Sequence, residues 1–142
     1  MQPLDLTKRP PRSPREKLAG LVMLPRTIDK MRALLPGGKI GDYKIDGFSV
    51  RLLTTIGIPV EALQAEVARA ASDDEVAQWV LEHSDASKHE DANRLLSQRR
   101  MSDVAPEDRP RIEKMYPNHR QIPSGLFFDI IDADDAAAFE RS

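Results

Sequence analysis

Five charged side chains near the start of the chain have the types and spacing to hold an anion: Arg12, Arg15, Arg26, Asp29 and Lys30. Oxyanions bind where donors converge, because arginine offers a planar fork of N–H groups and lysine a compact point charge. Arg12 and Arg15 flank Ser13-Pro14, and the other three follow inside the stretch MLPRTIDKMR. The competing reading is a solvated face. At about 100° per residue, Arg26 and Lys30 fall opposite Ile28, and Asp29 reaches Arg26 at three-residue spacing. No glycine-rich phosphate loop accompanies these residues, and Glu16 already places a negative charge beside them.

Proton-transfer and metal chemistry have weaker signals. His83 continues the apolar positions Val76, Trp79 and Val80 at helical spacing, so it reads as a packed histidine rather than a base. His89 lies six residues further on, and six does not place two ligands on one helix face. His119 falls in a loop. The acidic run DIIDADD, with Asp129, Asp132, Asp134 and Asp135, lacks the glycine and terminal glutamate of a calcium loop. It reads instead as a cap for a helix over AAAFE. No nucleophile motif is present. The expectation is therefore no catalytic residue, no metal ligand and no cofactor.

The elements that position these groups are mostly helices. Ser13, Pro14 and Glu16 have the pattern of a helix start, predicting a helix over SPREKLAGLVML. Leu21, Leu24, Ile28, Met31 and Leu35 then form one apolar stripe, which makes Pro25 a junction between two helical segments. Pro36-Gly37-Gly38 ends it. Residues 39–47 read as a loop or short hairpin. Further helices are predicted after Asp46 up to Gly57, and from Pro59. Two more follow capping boxes at Ser72/Glu75 and Ser87/Glu90, and another starts near Pro110. Phe127, Phe128, Ile130 and Ile131 should dock on the core, with residues 122–135 open between helix and strand. Residues 1–12, with Pro3, Pro10 and Pro11, form an extended arm that Leu4 and Leu6 can pin. The fold class is mainly α: the arm, then a single compact multi-helix domain over residues 13–142.

Composition narrows the function classes. The 142 residues carry a net charge of −2, so no global field draws nucleic acid or a membrane surface. The charge is polarised. Residues 1–44 hold ten Lys or Arg against four acids, whereas residues 121–142 hold five acids against Arg141. Mutual pairing of the two ends is the favoured reading, ahead of a free basic surface. The absence of cysteine excludes disulfides, thiolate catalysis and cysteine-ligated metals. The first residues have no apolar segment, predicting no signal peptide, and no run reaches membrane-span length. The protein is expected to be cytoplasmic.

Three motifs resemble one family: LDL with PRSPR and a following Gly20; LPRTIDK; and FFDIIDADD, supported by LLTTIGI. They look like the signature of small bacterial proteins catalogued as a domain of unknown function. The resemblance covers most of the chain. It implies a bacterial, stand-alone cytoplasmic domain, and it implies no activity and no functional residue.

The leading expectation is a non-catalytic binding protein. Its Arg12, Arg15, Arg26, Asp29 and Lys30 region would contact an anionic small molecule or an acidic protein surface. A small-molecule enzyme with a His83 or His89 base and an Arg26 clamp is the first alternative. Nucleic-acid binding through Arg94, Arg99 and Arg100 is the second, with the overall acidity against it.

Overall fold

The computed structural model describes residues 1–45 and 47–140. Asp46, expected to precede a helix, and Arg141 lie outside the described residues.

The Ser13–Glu16 pattern makes a turn, not the expected helix. Glu16 N donates to the Ser13 carbonyl at 3.1 Å, and Arg15 N to Ser13 Oγ at 3.3 Å. The chain then forms a hairpin, β1 (Lys17–Leu18) and β2 (Leu21–Val22), with Leu18 opposite Leu21. Both residues of its two-residue loop have positive φ, as in a type I′ turn. Gly20 (73°) takes it freely, and Ala19 (54°) is strained there. A distant residue secures the hairpin. Asn93 Nδ2 donates to the Gly20 carbonyl at 2.8 Å, and Val22 N donates to Asn93 Oδ1 at 2.9 Å.

Pro25 is consequently no junction. Helix α1 (Leu24–Ala33) begins there, and Pro25 sits in its first turn, where a missing N–H breaks no intrahelical bond. Leu24, Ile28 and Met31 are fully buried, but so, nearly, are Arg26, Asp29 and Lys30. The expected outward charged face does not exist. α1 packs against both α2 (Phe48–Ile56) and α3 (Val60–Arg69), while the arm covers its C-terminal end. There Leu4 N donates to the Arg32 carbonyl at 3.3 Å, and Leu6 N to the Lys39 carbonyl at 2.7 Å. Leu4 and Leu6 are buried with Ala33, as the arm's apolar residues suggested.

The later helices follow the periodicity. α2 closes at Gly57, whose φ of 81° lets its N–H reach back to the Thr54 carbonyl. α4 (Asp73–His83) is capped by Ser72 Oγ, which accepts from Glu75 N at 3.4 Å. α5 (His89–Ser97) differs from the capping reading. A short 3-10 turn (Ala86–Lys88) precedes it, and Asp85 rather than Ser87 supplies the accepting oxygen, at 3.0 Å from Ser87 N. α6 (Arg109–Met115) and α7 (Phe127–Phe139) complete the chain. The fold is mainly α.

α7 settles the open segment as a helix. Phe127 and Phe128 bury their rings edge-on to Phe48, at 5.4 and 6.0 Å between centroids. Asp132, Asp134 and Asp135 lie within α7 and are not its caps. His83 departs from expectation as well. It is exposed, stacked on the Trp79 ring at 4.4 Å, with Nδ1 2.8 Å from the Trp79 carbonyl. Among the described residues no helix is long and apolar enough to cross a membrane.

Candidate functional site

Each buried charge of α1 is met by a group far away in sequence. Asp29 does not pair with Arg26 as spacing suggested. It accepts from Arg12, at 2.8 Å from the backbone N, 3.1 Å from Nε and 3.0 Å from Nη2. Arg12 Nη1 also reaches Asp73 at 2.7 Å, at the start of α4. Burial alone would lower the Arg12 pKa, but its hydrogen bonds to Asp73 and Asp29 outweigh that and raise it. Arg12 thereby ties the arm to α1 and α4 together.

Arg26 faces the opposite end of the chain. Its Nη1 and Nη2 donate to the two oxygens of Asp135 at 2.7 and 3.3 Å, and Nη1 also reaches the Arg12 carbonyl at 3.2 Å. Tyr43 Oη donates to Asp135 Oδ1 at 2.8 Å, and the guanidinium lies 5.5 Å from the Tyr43 ring centre. Such bonding is what a charge taken out of water needs, since the desolvation cost is several kcal/mol per ion, roughly, without it. Arg15 pairs with Asp129 and lies 3.6 Å from Asp132, which also accepts from Ser13 Oγ at 2.8 Å. The basic and acidic ends therefore neutralise each other, and the residues of the three sequence motifs meet in space.

One side of this seam opens into a cleft of about 860 Å³. Arg26 and Lys30 of α1 border it, with Tyr43 and Lys44 from the following loop and Asp134 and Asp135 from α7. Met23, Phe48, Ile131 and Phe139 contribute an apolar wall. Lys30 Nζ donates to the Lys44 carbonyl at 2.9 Å and stands 6.0 Å from the Tyr43 ring centre. The Arg26 Nε is buried and has no hydrogen-bond partner among the described residues. Burial, then the Asp135 charge, raise the Tyr43 pKa far enough that the phenol keeps its proton and acts as a donor. Burial also raises the Asp134 pKa, against two hydrogen bonds from Asn118 at 3.2 and 2.7 Å that lower it.

Of the five residues singled out by sequence, Arg26 and Lys30 reach the cleft, whereas Arg12, Arg15 and Asp29 lie outside its lining. Neither His83 nor His89 lines the cleft that holds Arg26. His89 Nε2 instead lies 2.7 Å from Ser84 Oγ. Sequence reasoning missed Tyr43, Asp134 and Asp135 as members of the site. Asp135 had a signal: Phe128, Ile131 and Asp135 recur at three- and four-residue spacing, which puts a carboxylate on an apolar stripe. Tyr43 had none, because its loop is placed by tertiary contacts.

These features define a small, mainly helical protein with a buried ion-pair seam that borders an open cleft. The chain belongs to the family described as Domain of unknown function (DUF5069), whose profile matches residues 8–137. No curated protein matches it.

Proposed function

We propose that this protein is a non-catalytic binding protein of the bacterial cytoplasm, and that its cleft takes a small molecule with an anionic group and an apolar body. The observation that carries the reading is the position of Arg26 and Lys30, two cations buried within a helix interior that still border open volume. Ligand sites combine an apolar wall with a few fixed polar groups. Here the polar groups are Lys30, Lys44 and the protonated Tyr43, facing Met23, Phe48 and Phe139. Arg12 and Arg15 are occupied by internal carboxylates, which favours the cleft over an open basic surface for an acidic protein.

The test is a thermal-shift panel of small carboxylates and phosphate esters on the wild type, Lys30→Gln and the exposed Lys44→Gln. A ligand at roughly a hundredfold excess over its Kd adds about 2.7 kcal/mol to stability. The expected result is a ligand-dependent rise in Tm that both variants reduce. A panel without any rise in the wild type overturns the reading.

Asp134 favours a second reading, a small-molecule enzyme. A carboxyl group whose pKa is raised by burial beside an open cleft is suited to proton transfer. In that case Asp134, rather than a histidine, is the base, and Asp134→Asn abolishes turnover without reducing the ligand-dependent rise in Tm.

A further inference from the structure

The charges that line the cleft are of both signs: Arg26, Lys30 and Lys44 against Asp42, Asp134 and Asp135. Asp135 is fully engaged, since both its oxygens accept from Arg26 and Oδ1 also accepts from Tyr43. Asp134 is not. It lies one residue earlier on α7, half-buried, and shares the lining with Ile131 and Ala138. Asn118 donates twice to its Oδ1, from the backbone N and from Nδ2, and this fixes the carboxyl group. The other oxygen, Oδ2, accepts no hydrogen bond and joins no ion pair among the described residues. Lys44, exposed on the loop after α1, likewise has no hydrogen bond or ion pair from its side chain among the described residues. A carboxylate oxygen and an ammonium group thus border one volume without pairing with each other. Burial raises the Asp134 pKa, so a cation brought by a ligand would relieve a cost that the cations of the lining leave unmet.

Resting on the reading that the cleft takes an anionic ligand, we propose that this ligand is a zwitterion, with its ammonium group on Asp134 Oδ2 and its carboxylate on Lys30 and Lys44. Its apolar body lies on Met23, Phe48 and Phe139. An apolar amino acid and a dipeptide share this chemistry. A plain anion meets Asp134 and Asp42 as repulsion inside the same cleft. An ammonium group turns Asp134 from an opposing charge into the acceptor of a charge-assisted hydrogen bond. Asp42, exposed on the same loop as Lys44, lacks the donors that fix Asp134 and is the weaker place for the ammonium group.

The experiment is a calorimetric titration of the full chain at neutral pH. Its probes are phenylalanine, the dipeptide phenylalanylglycine, phenylpropanoate, which lacks the ammonium group, and phenethylamine, which lacks the carboxylate. One of the zwitterions should bind about tenfold more tightly than phenylpropanoate, the value of one charge-assisted contact. Whichever zwitterion binds more tightly identifies the source. Asp134→Asn should abolish that advantage while still binding phenylpropanoate, which also reports that the variant folds. Asp42→Asn should keep the advantage. Phenylpropanoate binding as tightly as both zwitterions overturns the inference and leaves the anionic-ligand reading standing. Phenethylamine binding most tightly, or no binding of any probe, overturns both. Loss of the advantage in Asp42→Asn but not in Asp134→Asn overturns the assignment to Asp134.

Discussion

Helices α1 and α5 have nearly the same length and a similar mixture of residues, and they end in opposite environments. α1 carries Arg26, Asp29, Lys30 and Arg32, and nine of its ten residues are buried. α5 carries Glu90, Asp91 and Arg94, and only Ala92 and Leu96 are buried. In α5 the charges stay in water and satisfy each other locally, Arg94 with Asp91 three residues away. In α1 they are met by partners from the arm, from the loop that follows α1, and from α7. Arg26 and Asp135 are 109 positions apart. A helical charge pattern therefore does not reveal whether its polar face meets water or a second layer of protein. What decides is whether the rest of the chain brings complementary charge, because an unmatched buried ion is too costly to persist.

The contrast can be broken most directly at Arg26. Arg26→Ala leaves the Asp135 carboxylate in the interior with Tyr43 as its remaining side-chain donor, and should cost about 3–5 kcal/mol. Urea denaturation followed by Trp79 fluorescence measures it. A loss below about 1 kcal/mol would mean that the pair is solvated, as in α5. Arg12→Ala should come next, at about 1–3 kcal/mol, because Asp29 keeps only the Arg12 backbone N–H. The same denaturation series reports it.

Asp134→Asn sharpens the comparison at the cleft edge. Burial raises the Asp134 pKa in the folded state, so the fold holds this proton more tightly than the unfolded chain. Its contribution to stability is greatest below the unfolded pKa and declines as pH rises through the folded one. Tm measured from pH 3 to 8, roughly, should show a flatter slope in the variant. At neutral pH the variant should be more stable than the wild type by less than about 1 kcal/mol, a gain that solvent screening keeps small. Arg94→Ala should have the smallest effect, within about 0.5 kcal/mol by urea denaturation, as for an exposed three-residue pair.

Much of the helical scaffold is legible in residue patterns. The stripe through Val60, Leu63 and Val67, the stop at Gly57 and the cap at Ser72 each act over a few residues, and each appears where the pattern placed it. The hairpin at Lys17–Val22 was not legible. Ser13, Pro14 and Glu16 satisfy the same local hydrogen bonds at the start of a helix as in the turn they make here. The choice depends on Asn93, which clamps the hairpin from α5. The cleft was half legible. Arg26 and Lys30 stood out by type, but their burial, and the presence of Tyr43 and Asp134 opposite them, depended on packing.

By itself the sequence determined the mainly helical class, the apolar character of Phe127, Phe128, Ile130 and Ile131 and the opposite charge of the two ends, because these depend on backbone preference, periodicity and composition. It also carried the likeness to the family whose profile matches residues 8–137. Only the tertiary structure decided that Arg12 pairs with Asp29 and Asp73, that Arg26 pairs with Asp135, and that a cleft opens beside them. The physical reason is that burial and ion pairing are properties of surfaces brought together from distant parts of the chain, and a local pattern specifies only one of the two surfaces.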